Sequence, residues 1–242
     1  MQPQIPFIGM LKEIERLHGA FRSGEPLLIL GPQGCGKTRL IQQALAANPQ
    51  VLYVAWAPTL HALLTSLARG LIAAGHAGFA HRAADPDAWL SAQTSVQLKT
   101  ILWTALETSP VPIVIDGIAG AGFPTYRFLQ RVYCTRGMAL FAAARDTESL
   151  GTLSRLFWNP GRILQVPPLS AAEAIRLFDA AAAHFALHCD LEALRQNTLD
   201  SARGNPGQIV DMCRLASHPQ YQAGRHIQFP PLRLDAVMKS GA

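Results

Sequence analysis

Residues 31 to 38 read GPQGCGKT and fit the pattern G-x-x-x-x-G-K-[ST], with Gly31, Gly36, Lys37 and Thr38 in the required places. The chemistry of such a run is polyphosphate binding. Glycines remove side chains that would block close approach, and backbone N–H groups at the start of a helix surround the anion. The lysine sits between the outer phosphates, and the threonine hydroxyl goes to a magnesium ion bridging them. Pro32, Gln33, Gly34 and Cys35 complete the loop, and Arg39 follows it. Further on, VPIVIDG is an apolar run ending in Asp116, whose carboxylate suits the water shell of the same magnesium ion. Beside Asp116, where many hydrolysing ATPases carry a second acid that orients the attacking water, stands Gly117. That replacement points to slow hydrolysis. Guanine specificity has no support, because the chain contains no N-K-x-D and Asp116 is not followed by glycine at the third position. ATP is the favoured nucleotide.

These residues need a scaffold, and the sequence supplies one. Five strand-like runs are expected at Pro26 to Leu30, Val51 to Trp56, Val111 to Ile115, Met138 to Ala143 and Arg162 to Val166. Helical stretches alternate with them: Leu11 to Phe21, Lys37 to Ala47, Leu60 to Ala74, about Ala88 to Leu106, and Tyr126 to Tyr133. Alternation of this kind predicts a parallel sheet flanked by helices, a three-layer α/β phosphate-loop domain over about 1–167. After it the pattern changes. Ser170 followed by Glu173 opens a capped helix, and helices to Phe185, from Leu191 to Ala202 and from Gly207 to Ala216 predict a small all-helical lid over 168–217. Residues 218–242, with Pro219, Pro230 and Pro231, read as an irregular tail whose GRHIQFPPLRLD segment is either a strand-like arm on its own domain or a docking element. The stretch Gly75 to Asp87 reads as a mobile loop.

Composition narrows the class. The chain has 242 residues, 49% hydrophobic and 15% charged, which is far from the low-hydrophobicity, high-charge signature of disorder. No apolar stretch approaches the ~20 residues of a membrane-spanning helix, so a cytoplasmic location without membrane contact is expected. The four cysteines, Cys35, Cys134, Cys189 and Cys213, form no CxxC pair and read as reduced thiols. Net charge is +5, and most of it is local: Arg127, Arg131, Arg136, Arg145, Arg155 and Arg162 face only Asp146 and Glu148 between Phe123 and Leu164. That stretch makes DNA a candidate partner, with aromatic interleaving limited to Tyr126, Phe128 and Tyr133. His184 and His188 have a zinc-compatible spacing, but Phe185 replaces the glutamate of H-E-x-x-H and no third ligand is signalled.

With these motifs in place, the chain over about 5–217 resembles the AAA+ ATPases and the related signal-transduction ATPases. Phe7-Ile8-Gly9 is similar to the F-x-G element that lines the adenine pocket of that family, with Met10 where an arginine is usual. The resemblance implies that Arg145, ending the fourth strand, is a sensor of the terminal phosphate. It also implies that Arg155 or Arg162 is a finger reaching a neighbouring subunit's nucleotide. VPPLSAAEAIRLF resembles the start of the lid, and ARGNPGQIV the lid's G-x-P element, with Pro206 as its nucleotide-side residue and Gln208 where a second sensor arginine is frequent. The first functional expectation is an ATPase with slow or partner-activated hydrolysis that couples Mg-ATP binding to self-assembly or to assembly on DNA, or to a protein partner supplying the effector. The second is a nucleotide-dependent switch with little turnover, and a small-molecule kinase is an outsider.

Overall fold

The computed structural model describes residues 5–82, 85–135, 138–224 and 226–241. The chain divides into two compact units, each discontinuous in sequence: Lys12–Gly31 with Ile41–Gln165, and Met1–Leu11 with Pro32–Leu40 and Val166–Ala242.

The first unit is built on a five-stranded sheet. Its strands are β1 (Leu27–Leu30), β2 (Leu52–Ala55), β3 (Ile113–Ile118), β4 (Leu140–Ala144) and β5 (Ile163–Gln165), in the order β2-β3-β4-β1-β5, and every pair is parallel. β1 and β4 are buried along their whole length, as strands covered on both faces must be. Side chains alternate between the faces. Leu28, Leu30, Ile113, Ile115, Leu140 and Ala142 join one core with residues of α3 (Leu60–Ala73), α5 (Ser95–Thr108) and α6 (Phe123–Cys134). Phe141, on the other face, meets the ring of Phe21 from α1 (Leu11–Ser23) edge-on at 4.7 Å. The sheet therefore has helices on both faces, which makes three layers, as expected.

Three details depart from the sequence reading. The helix expected over about Ala88 to Leu106 is two helices, α4 (Pro86–Ser91) and α5, because Thr94 restarts the chain with a reciprocal capping box to Gln97. The segment read as a loop holds a 3-10 turn over Ala77–Arg82 and the first residues of α4; residues 83 and 84 lie outside the described residues. His76 anchors it, since its Nδ1 accepts from Gly78 N–H at 3.1 Å while its Nε2 lies 2.9 Å from the Ser109 carbonyl. Phe79 beside it is buried. β3 runs to Ile118, three residues past the expected end.

The second unit holds the start of α2 (Lys37–Leu45) and the helices α7 (Ala171–His184), α8 (Leu191–Ala202) and α9 (Pro206–Ala216). Each of the last three opens on a side-chain cap: Ser170 in a capping box with Glu173, Asp190, and Asn205. Phe178, Ala181, Leu194, Ile209 and Cys213 are buried, and burial pushes the Cys213 thiol up to about 12. The tail is not irregular. A 3-10 turn at Pro219–Tyr221 leads through a hairpin of β6 (Gln222–Ala223) and β7 (His226–Ile227) into α10 (Phe229–Gly241). Pro230 and Pro231 start this helix rather than break it, because first-turn N–H groups have no intrahelical acceptor and their loss is free. α10 docks through fully buried Leu232, and the Tyr221 hydroxyl donates to Asp235. Among the described residues no helix is long and apolar enough to cross a membrane.

Candidate functional site

The phosphate loop follows β1 and runs into α2, as its sequence requires. Gly34 and Gly36 have φ of +79° and +98°, conformations that residues bearing a Cβ rarely adopt. Cys35 N–H donates to the Pro32 carbonyl at 3.2 Å and closes a turn at the loop tip. At the start of α2 Leu40 N–H donates to Gly36 O at 2.9 Å, so the last glycine of the loop lies at the N-terminal, positive end of the helix. Lys37 Nζ donates to the Pro32 carbonyl at 3.0 Å and lies 3.8 Å from Cys35 Sγ. Thr38 is exposed. Arg39 reaches back to the Ile5 carbonyl at 2.7 Å and ties the N-terminal segment to α2.

The other candidates of this unit gather around the loop. Phe7 and Ile8 are half-buried, and a Cβ added at Gly9 would lie 2.8 Å from the Glu173 carboxylate and 3.0 Å from Leu169, so the segment runs closely over the start of α7. Met10 and Pro206 flank Gly36, with Met10 Cε 3.5 Å and Pro206 Cγ 3.6 Å from where its Cβ would be. A cleft of about 350 Å³ is lined by Gly34, Gly36, Lys37, Thr38 and Arg39 on one side and by Leu177, Pro206, Gly207, Val210 and Asp211 on the other. A second, of about 450 Å³, includes Pro32, Cys35, Arg203, Asn205 and Gln208 in its wall. Both volumes fall in the range of small-molecule sites. A loop whose glycines take positive φ, a helix N-terminus and a lysine together fit a polyphosphate.

In the sheet unit, Asp116 lies near the carboxyl end of β3, nearly buried. Tyr53, on the neighbouring strand, donates its hydroxyl to Asp116 Oδ2 at 3.0 Å. Burial, and then the adjacent carboxylate, push the Tyr53 hydroxyl up to about 12. Pairing steps at this point. Ile115 faces Ala142 and Ile118 faces Ala144, so β3 holds one more residue than β4 across a bulge that contains Asp116 and Gly117. Gly117 has φ +78°, with nothing within 4 Å of an added Cβ. The place of the missing second acid is thus a left-handed bulge position, where backbone conformation and not space favours glycine.

The arginines differ in their surroundings. Arg145 is exposed just past the end of β4. Arg155 is exposed on a 3-10 turn, while Arg162 is half-buried, donating to the Tyr133 hydroxyl at 2.7 Å and pairing with Glu25 at 3.4 Å. Arg131 pairs with Glu107 at 2.7 Å and lies 4.1 Å over the Trp103 ring, and Arg127 lies 5.9 Å from the ring of exposed Phe123. Arg136 lies outside the described residues. Among the described residues no group of three or more His, Cys, Asp or Glu side chains could hold a metal ion. Sequence reasoning missed Tyr53, whose partner is 63 residues away, and missed the use that Asn205 and Gly207 make of the loop, for which the Asn-Pro-Gly run was the signal.

The family model of the AAA ATPase domain matches residues 6–194. No curated protein matches the sequence. Among solved structures, Cdc6p from Pyrobaculum aerophilum superposes with a TM-score of 0.60 at 13% identity, covering 90% of this chain and 63% of that one. Orc1 from Aeropyrum pernix, in complex with DNA, gives 0.60 at 16%, covering 97% and 66%. A signal-transduction ATPase with a tetratricopeptide repeat sensor from Pyrococcus horikoshii gives 0.56 at 15%, covering 99% of this chain and 33% of that protein. The chain thus spans less than two thirds of the Cdc6p and Orc1 chains, and at these identities the likeness is one of fold.

Proposed function

Since the chain belongs to the AAA ATPase domain family, we propose that it binds ATP with magnesium and couples that binding, and slow or partner-activated hydrolysis, to assembly or to the binding of a partner. The observation that carries this reading is the loop Pro32–Leu40, whose glycines and helix N-terminus line a cleft of about 350 Å³ together with α7 and α9. In it Lys37 neutralises the outer phosphates and Thr38 offers its hydroxyl to magnesium. Asp116 is the acid of the magnesium water shell, with Tyr53 orienting its carboxylate. Magnesium, when bound, supplies charge neutralisation along the phosphate chain. Phe7, Ile8 and Pro206 are assigned to the nucleotide, Gly31 to Gly36 to its phosphates, and Arg145 to sensing the terminal phosphate. Of the two finger candidates, exposed Arg155 suits a role in a neighbouring copy better than Arg162, which is engaged by Tyr133 and Glu25.

The reading divides the chain into a nucleotide-binding domain over 1–167, a lid over 168–217 and a tail over 218–242, and includes a cytoplasmic location. Self-association, or a protein partner supplying the effector, belongs to it as well. DNA is a further partner, supported by exposed Arg127, Arg145 and Arg155 and by the fold shared with an Orc1 that was solved on DNA. The second reading, a nucleotide-dependent switch with little turnover, is favoured by Gly117 in its left-handed bulge. The test is ATP turnover with magnesium, with and without double-stranded DNA, while light scattering follows size. Turnover stimulated by DNA together with assembly supports the ATPase. Tight ATP binding with negligible turnover and no response to DNA supports the switch, and absence of ATP binding overturns both.

A further inference from the structure

Asn205 and Gly207 carry no charge, yet they grip the phosphate loop by its main chain. Asn205 works at both ends of its amide. Its Oδ1 accepts from Gln208 N–H at 3.2 Å and caps α9, while its Nδ2 donates to the Gln33 carbonyl at 2.9 Å. Gly207 N–H donates to the Gly34 carbonyl at 2.8 Å. Because the peptide unit is planar, a bond to its carbonyl also sets the direction of the N–H on its other side. The first bond therefore orients the Gln33–Gly34 peptide. The second orients the Gly34–Cys35 peptide, whose N–H is already committed to Pro32. Two consecutive peptides at the loop tip are held in one arrangement.

The approach is close enough to demand glycine on both sides. A Cβ on Gly207 would lie 2.7 Å from Gly34 Cα and 2.9 Å from its carbonyl oxygen, and a Cβ on Gly34 would lie 2.8 Å from Asn205 Oδ1. We propose that Asn205 and Gly207 are positioning residues that clamp the tip of the phosphate loop in its binding shape, so that docking of α9 on the loop and affinity for the nucleotide's phosphates are coupled. This rests on the ATP reading given above. The coupling is reciprocal: whatever loosens α9 from the loop weakens the nucleotide, and the nucleotide tightens α9 onto the loop.

The decisive variant is Asn205→Ser. Serine caps a helix as well as asparagine does, so α9 keeps its start, but it lacks the amide that donates to Gln33. In the nucleotide-free full chain, hydrogen exchange over residues 31–40 is expected to quicken while the melting midpoint stays that of the parent. ATP affinity is expected to fall by about three- to tenfold, the worth of one net hydrogen bond. Gly207→Ala, which pushes Gly34 away, is expected to lower affinity further. Exchange over residues 31–40 unchanged in Asn205→Ser, faster exchange with unchanged affinity, or Gly207→Ala binding ATP like the parent each overturns the clamp. Failure of the parent chain to bind ATP overturns the functional reading instead, and exchange in the nucleotide-free protein still decides whether the loop is clamped.

Discussion

The loop tip and the end of β3 carry the two halves of the proposed chemistry and are held by different means. Gln33 and Gly34 are fixed through their main chain, by Asn205 and Gly207, at distances that exclude a Cβ on either glycine. Asp116 is fixed through its side chain, by the Tyr53 hydroxyl, on a strand whose bulge leaves open space around Gly117. Main-chain grips are intolerant because any side chain intrudes, whereas a side-chain grip can be trimmed by one atom with little else disturbed. A Cβ placed on Gly34 or Gly207 should therefore cost more than the loss of a single hydrogen bond at the strand end.

The largest expected effect is on the loop itself. Lys37→Ala removes the cation proposed to face the phosphates, and loss of one partner from such a charge pair costs about 2–5 kcal/mol, so ATP affinity should fall by tens- to thousandfold in a binding titration. Unchanged affinity would remove the loop as the binding site. On the strand side, Gly117→Asp meets no steric obstacle but must take φ +78°, and is expected to lose about 1–2 kcal/mol in denaturant melts. The same variant restores an acid beside Asp116. A rise in turnover would make the absent acid a limit on the proposed hydrolysis, and no rise would discard that role.

Tyr53→Phe should have the smallest effect, about 1 kcal/mol of stability at neutral pH. Its sharper signature is alkaline. The hydroxyl, held up to about 12 when folded, keeps its proton while an unfolded tyrosine ionises near its ordinary value of 10. Stability should accordingly fall as pH rises from about 10 to about 12 in the parent, and that loss should shrink in Tyr53→Phe. An identical alkaline profile in both would show that Tyr53 is not what holds Asp116. A Tyr53→Phe loss as large as that from Lys37→Ala would break the contrast between the two regions.

Much of this protein was legible locally. The phosphate loop is eight consecutive residues whose glycines, lysine and threonine have their meaning from spacing alone, and each of the five strands overlaps the run that predicted it. Parallel pairing followed from strands apolar on both faces separated by helices. The capping boxes at Ser170 and Thr94 are local too, though only the first was read, and missing the second merged α4 with α5. Prolines misled at α10, since the same residue ends a helix from inside and begins one from its first turn; burial of Leu232 decided between them.

What the chain alone could not decide is who meets whom across long separations. Tyr53 reaches Asp116 only because β2 and β3 are neighbours in the sheet, and strand order is a property of the whole core. Asn205 reaches Gln33 across 172 residues, with a cap residue's spare amide as the means. Gly117 looked like a missing acid in the sequence; in three dimensions it is also the residue that lets β3 bulge with a left-handed turn. Types and spacings specify the chemistry of a loop because its partners are adjacent covalently. Contacts between distant segments are selected by packing, which no single stretch of sequence contains.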